Sequence, residues 1–240
     1  MRLTFLGTRG AHVPAGNGHI KHSALLLEVG GQKLMFDCGS DWRGQLKQLQ
    51  PDTVFISHAH DDHAGGLDDS YNGPLWASDA TWKARPDLIG PTRQTFEARV
   101  PLQCGDCGIL PWPVVHSFRA PTVAFRISCA TTTLFYAPDI ASLPDADIAL
   151  DGVDLYIGDG AALDASLLRV EQDQLCGHAS LPQQLAWCIA HGVPRMLISH
   201  CGAVLVSPQH QEALAPLQQY AAEQGIRLEV AEDGLELKLP

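Results

Sequence analysis

Apolar residues in this chain come in short runs broken by Gly, Pro and Asp, and these runs set the elements. Leu3 to Leu6, Ala24 to Val29 and Lys33 to Phe36 read as strands, with Gly30-Gly31 placed to turn the second into the third. Asp41 to Gln50 predicts a short amphipathic helix stopped by Pro51, and Thr53 to Ser57 a buried strand. Leu75 to Ala77 predicts a strand and Asp79 to Arg85 a short helix, while Leu88 to Pro101 carries too many breakers to assign. Ile109 to Val115, Val123 to Cys129 and Thr132 to Ala137 are strand-like. The last third alternates: strand Leu155 to Ile157, helix Leu181 to His191, strand Arg195 to Ser199, helix Pro208 to Gln224 ended by Gly225, strand Arg227 to Val230, then Leu235 to Leu239 after Gly234. Strands alternating with helices imply sheets covered by helices on their outer faces. With 240 residues, 45% of them hydrophobic, and no linker or low-complexity tract, a single domain spanning 1–240 is expected.

The run Thr53-Val54-Phe55-Ile56 leads into Ser57-His58-Ala59-His60-Asp61-Asp62-His63-Ala64-Gly65-Gly66, which packs three imidazoles and two carboxylates into six positions. A strand ending this way holds its side chains in a loop and the first turn of the next element. His58, His60, Asp62 and His63 can then converge on one point or on two neighbouring points. Imidazole with carboxylate suits zinc, with manganese and iron as competitors. Three later positions repeat the logic: His116 after Pro113-Val114-Val115, Asp139 after Leu134-Phe135-Tyr136-Ala137-Pro138, and His200 after Met196-Leu197-Ile198-Ser199. Ligands at strand ends are held by a rigid sheet, as a preorganised metal site needs.

His58-x-His60-x-Asp62-His63, followed by a later His, Asp and His, resembles the metallo-β-lactamase superfamily over essentially the whole chain. The resemblance implies an α/β fold, a four-layer αββα sandwich with metals at one edge between two mixed sheets. It implies two divalent ions, zinc first and Mn2+ or Fe2+ as alternatives. His58, His60 and His116 would hold one, Asp62, His63 and His200 the other, and Asp139 would bridge them. The β-lactamases usually carry Cys at the position of Asp139, and the di-iron oxygen-reducing branch carries Glu at that of His60, so neither activity is expected. Gly7-Thr8-Arg9-Gly10, His116-Ser117 leading into Val123-Ala124-Phe125-Arg126-Ile127, and Tyr136-Ala137-Pro138-Asp139 resemble the phosphodiesterase branch, which includes ribonuclease Z and the phosphonate-pathway cyclic phosphodiesterase. That resemblance implies attack on phosphorus by a hydroxide bridging the metals. His178, in Cys176-Gly177-His178-Ala179-Ser180, would protonate the leaving oxygen and Asp159 would orient it. Asp62 would be a ligand first and a proton acceptor second.

Charge narrows the substrate. The chain has 16 basic and 27 acidic residues, a formal charge of -11, and no Lys/Arg cluster, which argues against an extended nucleic-acid partner. Ribonuclease Z grips tRNA through a long basic, Gly/Pro-rich arm, whereas only eighteen residues with a single Arg separate Asp159 from His178 here. A small or cyclic phosphodiester is therefore the expected substrate. An RNA or DNA phosphodiesterase, a glyoxalase-II-like thioester or lactone hydrolase, and a non-catalytic accessory protein are the alternatives. No apolar run approaches the ~20 residues of a membrane span, and the N-terminus does not read as a signal peptide, so a cytoplasmic location is expected. Homodimers are common in the branch, but no patch in this sequence decides the matter. The seven scattered cysteines do not suggest a disulfide framework, and Cys104-Gly105-Asp106-Cys107 reads as an ordinary turn. His19 and His22 are candidates for the site rim.

Overall fold

A computed structural model describes residues 1–68, 71–88 and 92–240 of the chain. In chain order the strands are β1 (Arg2–Gly7), β2 (Ala24–Val29), β3 (Gln32–Phe36), β4 (Thr53–Phe55), β5 (Leu75–Ala77), β6 (Arg93–Thr95), β7 (Leu102–Cys104), β8 (Cys107–Val114), β9 (Thr122–Cys129), β10 (Thr132–Tyr136), β11 (Leu155–Asp159), β12 (Arg169–Glu171), β13 (Gln174–Cys176), β14 (Arg195–Ser199), β15 (Arg227–Val230) and β16 (Glu236–Lys238). The helices are α1 (Leu46–Leu49), α2 (Asp61–Ala64), α3 (Asp79–Ala84), α4 (Ala146–Ala149), α5 (Leu181–Ala190), α6 (Ala203–Val206) and α7 (His210–Glu223).

Two seven-stranded sheets run in the orders β16-β1-β2-β3-β4-β5-β6 and β15-β14-β11-β10-β9-β8-β7. Each is mixed. Its early strands pair antiparallel, and the later ones, from β3 to β6 and from β10 to β15, pair parallel. The apolar runs are continuous because both faces of these strands are buried, and alternate residues go to different cores. Leu25, Leu27, Leu34, Phe36 and Phe55 meet Phe125, Ile127, Leu134, Tyr136 and Ile157 between the sheets. Leu26, Met35 and Val54 point the other way, onto Trp42, Leu46, Ala64 and Leu67. On the far side Phe135, Tyr156, Met196 and Ile198 pack against Leu181, Leu185, Leu214 and Ala221 of α5 and α7. This is the four-layer αββα sandwich.

Three segments differ from expectation. Asp41 to Gln50 is not one helix: Gly44, at φ 76°, separates a 3-10 turn over Ser40–Trp42 from the single turn of α1. The helix expected over Pro208 to Gln224 forms as α7, and an unexpected single turn, α6, precedes it over Ala203–Val206. Cys107 and Cys129 form a disulfide, because β8 and β9 set them directly opposite each other with Cα atoms 4.4 Å apart. Cys104 pairs across the β7–β8 hairpin with Cys107, so the CxxC stretch is the turn expected. Of the unassigned stretch Leu88 to Pro101, residues 93–95 form β6, and 89–91 lie outside the described residues.

Candidate metal centre

The histidine-bearing strand ends of both sheets open toward one point. His58 follows β4, and Asp62 and His63 ride the first turn of α2. His116, Asp139 and His200 follow β8, β10 and β14, Asp159 closes β11, and His178 follows β13. Donor atoms of His58, His60, His116 and Asp139 all lie within 4.8 Å of one another, as do those of Asp62, His63 and His200. Asp139 Oδ2 sits between the two sets, 3.2 Å from His58 Nε2, 3.3 Å from His116 Nε2 and 3.4 Å from His63 Nε2. Asp62 Oδ2 lies 3.0 Å from His200 Nε2 and 3.4 Å from His63 Nε2.

The residues fit bound divalent metal. His63 Nε2, His116 Nε2 and Asp139 Oδ1 are buried with no hydrogen-bond partner among the described residues, and buried polar atoms are rarely left so. The opposite ring nitrogens are engaged. His63 Nδ1 donates to Asp37 Oδ2 at 2.8 Å, His116 Nδ1 to the Gly177 carbonyl at 3.0 Å, and His58 Nδ1 to Ser57 Oγ at 3.0 Å. Such bonds fix the Nδ1–H tautomer and turn each Nε2 lone pair inward, as metal-ligating histidines require. His58 Nε2 and His60 Nδ1 approach to 2.9 Å, an arrangement a shared cation stabilises.

The electrostatics agree. Burial pushes His58, His60 and His116 down, His60 to about 4. Burial opposes charge on His63 and His200 too, but Asp62 and Asp139 outweigh it and lift both well above the usual range. Asp62 and Asp139 are held well below the usual carboxylate range, burial being overcome by His63 and His200. The cluster is thus built around anions that need positive charge beside them.

His178 stands at the partly exposed edge of the buried His and Asp cluster. Its ring lies 4.9 Å from that of His116 and 5.6 Å from that of His200, centroid to centroid. Its Nδ1 is 2.7 Å from Asp159 Oδ2. It shares a third donor cluster with Asp139, Asp159 and His200, but the Asp159 bond commits its Nδ1. Burial lowers the affinity of His178 for a proton, and Asp159 then Asp139 more than restore it. Asp159 is fully buried and saturated. Its Oδ1 accepts from Ala161 N and His200 Nδ1, and its Oδ2 from Ile140 N and His178. Burial raises its affinity for a proton, but His178 and His200 hold it ionised, at about 2.

Each of the two rim candidates is held by its Nδ1. His19 is fully buried and bonded to Thr8 Oγ1 at 2.7 Å, and His22 Nδ1 is 2.8 Å from Asp41 and 2.9 Å from Ser40 Oγ. Sequence reasoning missed Asp37, which accepts from Ser57 N, Ser57 Oγ, His63 Nδ1 and Tyr136 OH. It directly follows the apolar strand Lys33 to Phe36, the same signal that picked out His116, Asp139 and His200. Arg85 was missed too: it ties the histidine loop through the Ala59 carbonyl and Asp61 Oδ1.

Comparison with known proteins gives these features a family. Residues 32–201 match the beta-lactamase superfamily domain. The chain is 36% identical over 151 residues to ribonuclease Z of Methanococcus maripaludis strain C5, covering 60% of this chain and 46% of that one, so it spans less than half of that relative's length. The metallo-beta-lactamase fold protein YhfI of Bacillus subtilis superposes with a TM-score of 0.77 at 19% identity, covering 98% of both chains. A diphosphatase of the PhnP family gives 0.73 at 18% identity, covering all of this chain and 98% of that one. By its matched domain, its layered sheets and its converging His and Asp residues, this chain belongs to the metallo-β-lactamase superfamily.

Proposed function

We propose that this protein is a metal-dependent phosphodiesterase acting on a small phosphodiester, with residues 1–240 forming one domain. His58, His60 and His116 would hold one divalent cation, Asp62, His63 and His200 a second, with Asp139 between them. The two-set convergence on Asp139 Oδ2 is the observation that carries the reading. When bound, two such ions supply an activated water and neutralise charge on the phosphoryl oxygens. Zinc is the first expectation for this donor set, with manganese and iron as alternatives.

The chain's own residues supply the remainder. Asp159 holds His178 by Nδ1–H, so its Nε2–H is the proton available to the leaving oxygen. As the bond from phosphorus to that oxygen breaks, the proton passes to it. The water oxygen stays on phosphorus, and its displaced proton goes to Asp62 or solvent, giving an alcohol and a phosphomonoester. Among the described residues of the cluster, His58, Asp62, His63, His116, Asp139 and His200 are buried and His60 and His178 partly exposed, so substrate would approach from the His60 and His178 side.

The test is metal content by elemental analysis with turnover of bis-p-nitrophenyl phosphate by wild type and His178→Ala. About two metals per chain, with turnover falling roughly 100-fold or more in the variant, is the expected result. Two metals without phosphodiester turnover would sink the reaction and redirect the search to thioesters and lactones. The similarity to ribonuclease Z keeps an RNA substrate as the second reading. Salt-sensitive RNA binding that competes with the small substrate would favour it.

A further inference from the structure

Of the eight large apolar side chains exposed among the described residues, three lie on one short hairpin: Leu167 (53% exposed), Val170 (69%) and Leu175 (36%). The hairpin is built on β12 and β13, whose pairs are Arg169 with Cys176, Val170 with Leu175 and Glu171 with Gln174. The same register continues to its base, where Leu167 and His178 exchange both backbone hydrogen bonds, Leu167 N to His178 O at 2.9 Å and His178 N to Leu167 O at 3.4 Å. Two residues that exchange both bonds in an antiparallel pair project their side chains to the same face, with Cβ atoms about 4.5–5.5 Å apart. The face His178 uses is the one toward the metal centre. The hairpin is also pinned: Gly177 N bonds the His116 carbonyl at 2.8 Å, and Glu171 meets Arg119 of the following loop at 3.5 Å.

We propose that Leu167 is the leaving-group wall of the site, so that the enzyme prefers phosphodiesters whose departing alcohol carries an alkyl or aryl substituent. The inference rests on the phosphodiesterase reading with His178 as proton donor. That donor must stand beside the departing oxygen, so the side chain next to it on the same face meets whatever that oxygen carries. An exposed leucine there gains free energy from an apolar substituent and offers no hydrogen bond to a polyhydroxylated one. Each buried methylene is worth ~0.8 kcal/mol, so a propyl group in contact supports a preference on the order of ten-fold or more.

The experiment uses the metal-loaded protein and two methyl aryl phosphates whose phenols match in acidity, one bearing a propyl group and the other a hydroxymethyl group. Wild type is expected to favour the propyl substrate about ten-fold in kcat/KM. Leu167→Ser is expected to bring the ratio close to unity, and Leu167→Ile to retain it. Calorimetric affinities for the matching methyl benzylphosphonates, in which a methylene replaces the scissile ester oxygen, supply a readout independent of turnover. Wild-type turnover with a ratio unmoved by Leu167→Ser, or equal affinities for the two phosphonates, overturns the wall. No turnover, but an affinity ratio that collapses in Leu167→Ser, overturns the phosphodiesterase reading and leaves the apolar wall standing.

Discussion

Asp37 and His200 both sit in left-handed backbone, at φ 60° and 49°, a region that costs residues other than glycine about 1 kcal/mol or more. Both follow strands directly, and the sharp turn aims each side chain across the strand end rather than along it. Asp37 gathers four donors, so Asp37→Asn, nearly the same size but neutral, loosens the His63 ring without opening a cavity. Metal affinity is expected to fall about 10–100-fold, measured by chelator competition. Gly66 is constrained by space instead: a Cβ there would stand 2.3 Å from the Gly39 carbonyl and 2.8 Å from Cys38 Sγ. Gly66→Ala is expected to cost roughly 1–3 kcal/mol, as overpacked cores do, read as a lower denaturant midpoint. The converging His and Asp residues were legible in the sequence because each cluster follows an apolar run, but the run before Asp37 was read only as a strand. Its backbone turn and its four donors, one of them ninety-nine positions away on Tyr136, have no local signature.

At the level of elements, strands with continuous apolar runs were legible nearly to the residue, as β2, β5, β14 and β15 show. The hairpin carrying β12 and β13 was not. It turns through Gln172 and Asp173, at φ 51° and 60°, a pair of left-handed positions that usually announces itself as Asn-Gly. Replacing the pair by Asn-Gly is expected to stabilise the hairpin by about 1 kcal/mol. Slower amide exchange at Glu171 and Gln174, the hydrogen-bonded pair that closes the turn, would show it, and unchanged exchange would contradict it. The loop from Arg9 to His22 carries a different burden. His19 is buried beside Thr8, Asp233, Glu232 and His210, and burial lowers its pKa below the usual 6.5 despite the two carboxylates. The unfolded chain therefore binds a proton that the folded chain resists, and this contribution to stability is present above about pH 6.5 and lost on acidification. Denaturant midpoints measured near pH 7.5 and near pH 5.5 are expected to differ less for His19→Gln than for wild type.

For the whole molecule, the cross-sheet position of the centre couples metal to stability. Asp37, Asp62, Asp139 and Asp159 are all buried around it, and a cation that binds only the folded chain stabilises by mass action. With free metal ~1,000-fold above its Kd, removal by a chelator is expected to cost ~4 kcal/mol, seen as a lower unfolding midpoint that returns on readdition. The disulfide adds a second tie within one sheet. Its 22-residue separation suggests about 3 kcal/mol from the constrained unfolded chain, so a Cys107→Ala, Cys129→Ala double variant is expected to unfold at correspondingly lower denaturant.

Asp139 lies between donors from both sheets, and this has a consequence in time. The segment from His58 to His63 can gather around an ion as soon as it leaves β4, but His116, Asp139 and His200 arrive only when the second sheet has formed and docked. During refolding an early ion would meet half a shell, and the complete one closes late, with the slow long-range contacts. Tight metal uptake would then serve as a clock for sheet docking: it should trail the recovery of strand signal and coincide with burial of the aromatic core around Phe36, Phe125 and Tyr136.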